Sequence, residues 1–255
     1  MLIGLVSIHK LHPGLRPAAV ALFLDVDGTL LEFGPAPDDV EVDASTLNLL
    51  QEASDILGGA LAIISGRSLA QLDALFGHAR FPAAGLHGIE RRDARGRLHV
   101  HAAEPLPPSL VDELGEIAER HPGVLLEDKG RAVALHYRQA ASLHEMLHRE
   151  VHALARRHGG DQLQVQPGAY VLELKPSGIT KAHAIEAFAL EPPFAGRTPV
   201  FAGDDLTDLH GFDAVERLGG VSIAVGPRVS AQVAIANPRA LRDLLAEFLA
   251  RGAAA

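Results

Sequence analysis

The chain has 255 residues, 47% of them hydrophobic, enough for one large domain or a core carrying a smaller insert. Its formal net charge is −9 and it has no long basic run, which argues against nucleic-acid binding and leaves any anionic ligand to a few local cations and a metal. It has no cysteine, which excludes disulfides and zinc–thiolate sites and fits a cytoplasmic protein.

Residues 1–20 read as a loosely specified leader. The apolar stretch Leu2 to Ile8 is too short to span a membrane and lacks the flanks of a secretory signal, so no membrane partner is expected. The run Ala21–Leu24 is continuously apolar and ends in polar residues and Gly28, as does a parallel strand buried on both faces. Leu61–Ile64, Val200–Ala202 and Val221–Val225 repeat that pattern, and Phe81–Leu86 does so more weakly. Helical patterns lie between them. One runs from about Asp43 to Leu57, and a second places Leu69, Leu72, Leu75 and Phe76 on one face and stops at Gly77. The last starts at Asn237-Pro238, a cap residue followed by proline. Strands alternating with helices predict an α/β fold with a Rossmann-like parallel sheet.

The middle of the chain changes pattern. A helix over about 109–120 is followed by strands 124–126 and 132–137 around the turn Asp128–Arg131. A second helix over about 142–157 precedes strands 163–166 and 170–174 around Pro167-Gly168. The order αββαββ predicts an inserted α+β cap over 104–173, with the core formed by 21–103 and 174–255.

Four features carry chemistry. Asp25-Val-Asp27-Gly-Thr29 follows the first buried strand, where ligands gather in open α/β sheets, and side chains two apart on an extended segment face the same way. Two carboxylates placed together call for a cation or a shared proton, and Gly28 permits a sharp turn. The alternative is a plain turn with Asp27 and Thr29 bonding their own backbone. Gly203-Asp204-Asp205-Leu-Thr207-Asp208 follows another apolar run; its oxygen ligands suit Mg²⁺, and a solvated acidic loop is the alternative. Ser65-Gly66-Arg67 follows the second strand, where hydroxyl and backbone donors can hold a phosphoryl oxygen, unless Ser65 merely caps the next helix. Lys181 stands near a helix start; a lysine alone there reads as a surface residue.

Taken in this order, the four resemble the haloacid dehalogenase (HAD) superfamily of phosphohydrolases, in its type with an inserted α/β cap. Gly85-Leu-His87-Gly88-Ile-Glu90, Leu135-His136-Tyr-Arg138, Val171-Leu-Glu173-Leu-Lys175-Pro and Gly203–Asp208 resemble the trehalose-6-phosphate phosphatases over about residues 21–225. The resemblance implies Asp25 as nucleophile and Asp27 as the acid that protonates the leaving sugar oxygen and later activates water. It implies Mg²⁺ on Asp25, Asp204 and the carbonyl of Asp27, with Ser65 and Lys181 on the phosphoryl oxygens. Thr29, Asp205 and Asp208 would stand behind these groups. Gly66, Arg67, His87, Glu127, Lys129, Arg138, Glu173 and Lys175 would bind substrate, with Glu173 the first choice for reading the sugar. Neighbouring carboxylates are expected to raise the pKa of Asp27. The implied substrate is a small sugar phosphate, with a trehalose-6-phosphate synthase as working partner. Leu209 and Ala182 depart from the family pattern, where Glu and Gly are common.

Other readings keep the chemistry and change the sugar, to a mannosylglycerate or sucrose phosphate. A sugar-phosphate sensor should have lost Asp25 or Asp27, and a phosphomutase would return phosphate to its substrate. His144, His148 and His152 recur every fourth residue, a metal-binding spacing that is read as a solvated helix face; His99 and His101 alternate on an expected strand and are likewise read as solvated.

Overall fold

The structure is a computed structural model that describes residues 15–34, 40–101, 105–168 and 170–252; the stretch Leu2 to Ile8 lies outside them. The elements in chain order are β1 (Val20–Leu24), α1 (Ala44–Ile56), β2 (Leu61–Ile64), α2 (Leu69–Phe76), β3 (Ala83–Gly85), β4 (Glu90–Arg92), β5 (Leu98–Val100) and α3 (Pro108–Arg120). Next come β6 (Leu125–Asp128), β7 (Val133–His136), α4 (His144–Gly159), β8 (Leu163–Gly168), β9 (Val171–Pro176) and α5 (Lys181–Ala189). The chain ends with β10 (Thr198–Gly203), α6 (Leu209–Arg217), β11 (Val221–Val225), β12 (Val233–Ile235) and α7 (Pro238–Gly252). They fall into two compact units, residues 1–100 with 180–255, and residues 101–179.

The first unit holds an eight-stranded sheet of order β12-β11-β10-β1-β2-β3-β4-β5. It is parallel from β12 to β3, then antiparallel across β4 and β5. Every residue of β1, β2 and β11 is buried, as the continuous apolar runs require of strands covered on both faces. Phe23 anchors this core, its ring 5.5 Å from Phe194 and 6.1 Å from Phe188. Helix starts are chemically fixed: Asp43 accepts from Thr46 N ahead of α1, Ser68 and Gln71 form a capping box ahead of α2, and Asn237 accepts from Ala240 N ahead of α7. Register then sets the site. Leu24 of β1 pairs with Ala202 of β10 and Ile63 of β2, so Asp25, Asp204 and Ser65 emerge beside one another at three adjacent carboxyl ends.

The second unit holds an antiparallel sheet of order β6-β7-β9-β8, and its element order is the expected αββαββ. Leu110, Leu114 and Ile117 of α3 and Leu147, Val151 and Leu154 of α4 share its core with Val133, Leu135, Leu172 and Leu174.

Several local expectations shift. Pro167 and Gly168 are not the turn: they continue β8 and pair with Leu172 and Val171, so the chain reverses after them. β9 runs through residue 173, the expected exit of the insert, and the units divide after residue 179. The leader's last residues are also ordered into the first unit, with Leu15 and Val20 in its core. β4 and β12 were not expected, while β5 covers the alternating stretch around His99 where a strand was expected. β4 is Glu-Arg-Arg, and Arg91 and Arg92 are buried because each is paired, with Glu191 at 2.8 Å and Asp73 at 2.8 Å. Paired burial makes a charged strand tolerable, and hydropathy cannot signal it.

Candidate active site

Asp25 continues the β1 ladder, its N–H donating to Ala202 O at 3.0 Å, and the residue is 5% exposed. Lys181, the first residue of α5, is 2% exposed. Its Nζ donates to Asp25 Oδ1 at 2.7 Å and to Asp208 Oδ1 at 2.6 Å. The surface reading of Lys181 therefore fails, because the α5 start faces the strand ends. Asp208 has a structural task as well: its Oδ2 accepts from Asp204 N and Asp205 N, both at 3.0 Å, which folds the acidic loop over the end of β10. Thr29 Oγ1 lies 3.2 Å from both Asp25 Oδ2 and Asp204 Oδ1 and so links two strand ends. Gly28 has φ of +83°, and a Cβ there would strike the Asp204 carboxylate and the Phe33 ring. Only glycine lets Asp204 come this close to the Asp25–Asp27 turn.

Asp25, Asp204 and Asp208 bring carboxylate oxygens within 4.8 Å of one another, and all three are buried. Burial first, and then the charges of Asp208 and Asp204, push the Asp25 carboxyl well above its ordinary range against the pull of Lys181. Burial and Asp208 raise Asp204 to about 6. Burial opposes the Lys181 ammonium, but Asp208 and Asp25 outweigh it and raise its pKa. The Lys181 ammonium and the Arg228 guanidinium facing three buried carboxylates still leave a negative excess, and the donors are all hard oxygens, so the site fits Mg²⁺. Asp208 already serves Lys181 and two backbone N–H groups. Asp25 Oδ2 and the Asp204 carboxylate are thus the better placed to hold an ion.

Asp27 sits differently from the expectation. Its carboxylate is not among these three; Arg67 grips it as a fork, Nε to Oδ2 at 2.7 Å and Nη2 to Oδ1 at 2.6 Å. The neighbour acting on Asp27 is a guanidinium, not a carboxylate. Ser65 is 1% exposed and does not cap α2, a task that Ser68 performs. Its Oγ accepts from Arg67 N at 3.1 Å, and its carbonyl accepts from His87 N at 2.9 Å. His87 holds φ of +58°, and its ring packs so close over Gly66 that a Cβ there would lie 2.9 Å from Cε1 and Nε2. Ser65, Gly66, Arg67 and His87 thus form one constellation beside Asp27.

Arg228 was missed. It follows β11, at another strand's carboxyl end, where such a residue could have been sought. Its Nη1 donates to Asp204 Oδ2 at 3.2 Å, its Nη2 to Asp205 Oδ2 at 3.3 Å, and its guanidinium lies 5.7 Å from the Phe33 ring centre. Asp205 also accepts from Leu206 N at 2.6 Å.

In the second unit, Lys129 Nζ lies 3.9 Å from both Glu127 Oε2 and Glu173 Oε1, and His136 Nε2 lies 2.8 Å from Glu127 Oε2. Glu127, Ala134, Glu173 and Gln166 align across the four strands on the face opposite the apolar core. Lys175 is 1% exposed, with Nζ donating to Ile179 O at 3.3 Å. Arg138 lies past the end of β7, 5.4 Å from the Tyr170 ring centre, outside the Glu127–Lys129–Glu173 group.

The raised Asp204 carries a pH signature in metal-free protein. Its folded pKa of about 6 exceeds the ordinary 3.8, so the folded state keeps this proton longer. The resulting stability is full below about pH 4 and is lost as pH rises through about 6. In chelator, the melting temperature of the natural chain should therefore fall relative to Asp204→Asn over that window, and Mg²⁺ should offset the fall. A difference that stays flat with pH would refute the assignment.

The sequence profile of the trehalose-phosphatase family matches residues 23–243. The chain is 48% identical over 212 residues to the trehalose-6-phosphate phosphatase of Escherichia coli (strain K12), covering 82% of this chain and 78% of that one. It is 45% identical over 229 residues to the probable trehalose-phosphate phosphatase of Sinorhizobium fredii (strain NBRC 101917 / NGR234), covering 89% and 86%. In fold it is similar to the C-terminal domain of the C. albicans trehalose-6-phosphate phosphatase, with a TM-score of 0.79 at 21% identity over 91% of this chain and 92% of that one.

Proposed function

The chain belongs to the trehalose-phosphatase family, and on that premise we propose that it hydrolyses trehalose 6-phosphate to trehalose and inorganic phosphate through a phosphorylated Asp25. The observation that carries the mechanism is the buried pairing of Asp25 with Lys181 beside Asp204, at the carboxyl ends of the adjacent strands β1 and β10.

Asp25 offers an oxygen to phosphorus, and the bond from phosphorus to the sugar oxygen breaks as the new one forms. Lys181, fixed by Asp25 and Asp208, and the Ser65 hydroxyl hold phosphoryl oxygens, where charge is spread in the transition state. Asp27 gives its proton to the departing sugar oxygen. Both oxygens of Asp27 accept from Arg67, so at least one of those bonds opens for this transfer. Asp27 then takes a proton from the water that attacks the phosphorylated Asp25, which releases phosphate and restores the carboxylate. Asp25, Asp204 and the carbonyl of Asp27 would hold Mg²⁺, which when bound polarises a phosphoryl oxygen and neutralises charge. Among the described residues no helix is long and apolar enough to cross a membrane. The same reading puts the enzyme in the cytoplasm, beside a synthase that forms its substrate.

Phosphate release across a panel of sugar phosphates tests the function. Trehalose 6-phosphate should be the best substrate, with activity lost in chelator and restored by Mg²⁺. Preference for sucrose or mannosylglycerate phosphate would move the substrate. Full turnover after exhaustive metal removal would displace Mg²⁺.

Selection of the sugar falls to groups beyond those that read phosphate. Glu173 is our choice, since a carboxylate can accept from two sugar hydroxyls and Lys129 helps hold it in place. Glu173→Ala should lower kcat/KM for trehalose 6-phosphate at least about tenfold, roughly 1.4 kcal/mol. It should barely change turnover of p-nitrophenyl phosphate. Equal losses on both substrates would mean support of folding or closure, and no loss on either would remove Glu173 from recognition.

A further inference from the structure

Helix α4 buries Leu147, Val151, Leu154 and Ala155 in the core of the second unit, which fixes the helix and sets His148 and His152 along the edge of that buried face. Here the rings of His144 and His148 lie 5.6 Å apart between centres, those of His148 and His152 only 4.5 Å apart, and both His148 and His152 are partly shielded. His144 is tied back at the start of the row, its Nδ1 lying 2.8 Å from the Tyr137 hydroxyl.

We propose that His148 and His152 form a two-nitrogen site for a borderline transition-metal ion such as Zn²⁺ or Ni²⁺, separate from the carboxylate cluster of the active site. Residues one turn apart on a helix present their side chains to a common point. Rotation of the two rings about their side-chain torsions can aim one nitrogen of each at an ion about 2.0–2.1 Å away, with water completing the coordination. His144 lies two turns from His152 and serves a different partner, Tyr137. Arg156 follows His152 by one turn of α4. It places a like charge beside the ion, which limits affinity. The ligand class follows from the donors: imidazole nitrogen favours Ni²⁺, Cu²⁺ and Zn²⁺, whereas Mg²⁺ takes oxygen.

The test is calorimetric titration of the whole chain with NiCl2 in millimolar MgCl2, which keeps Mg²⁺ on the oxygen site. Saturable Ni²⁺ binding is expected, weakened at least about tenfold in His148→Gln and in His152→Gln. His78→Gln, a change in the other unit, should bind as the natural chain does. Far-UV circular dichroism should show α4 intact in both helix variants, since glutamine suits a helix at least as well as histidine. The proposal is overturned if either variant binds Ni²⁺ as tightly as the natural chain, or if the natural chain gives no saturable binding.

Discussion

Asp25→Asn should reduce turnover of trehalose 6-phosphate by at least about 10⁴-fold, the scale on which removal of a nucleophile acts. The amide keeps the size and one acceptor oxygen of the carboxylate but has no charge with which to attack phosphorus. The fold should survive, because Lys181 keeps its bond to Asp208 Oδ1 and loses only one of two carboxylate partners. The substitution also relieves repulsion, since burial and the charges of Asp208 and Asp204 oppose ionisation of Asp25. A melting temperature near that of the natural chain, with turnover gone for both trehalose 6-phosphate and p-nitrophenyl phosphate, is the expected pair of results. Ordinary turnover in a preparation whose mass confirms the substitution would end the covalent mechanism.

Lys181→Met should be costly in stability as well as in activity. Removing one partner of a buried ion pair costs about 3–5 kcal/mol, because the charge left behind is no longer compensated. Here two carboxylates, Asp25 and Asp208, lose their shared ammonium. Urea denaturation in chelator should show the full loss, and Mg²⁺ should recover part of it by supplying the missing charge. Turnover should fall at least about 10²–10³-fold, as when a preorganised donor to the reacting group is removed. If the single variant does not fold, Lys181→Met combined with Asp208→Asn removes one of the uncompensated charges and should recover stability. The two changes should couple strongly in a double-mutant cycle. A single variant that denatures with the natural chain would show that Lys181 does not balance the cluster.

The parts of the site that were legible in the sequence are short in chain distance and tied to strand ends. Asp25, Ser65 and Asp204 each directly follow a buried apolar run or lie one residue beyond it, and Lys181 opens a helix. The pairings between distant segments were not legible. Arg67 reaches Asp27 across 40 positions, and Arg228 reaches Asp204 across 24. Asp208, expected behind the ion, joins Lys181 to the backbone of the acidic loop, and those partners were not legible either. The three histidines showed their helical spacing, while their ring contacts required the packed helix.

By itself the sequence determined the alternation of strands and helices, the αββαββ insert and the residues at strand ends, because those features rest on local periodicity, capping and turn chemistry. Only the tertiary structure decided which groups neutralise which. Strand register brings Asp25, Ser65 and Asp204 together, and a buried charge persists only where folding delivers its counter-charge. The charged strand β4 makes the same point in the core. Arg91 and Arg92 are buried there because Glu191 and Asp73 arrive from elsewhere in the chain, and no pattern local to Glu90–Arg92 records their arrival.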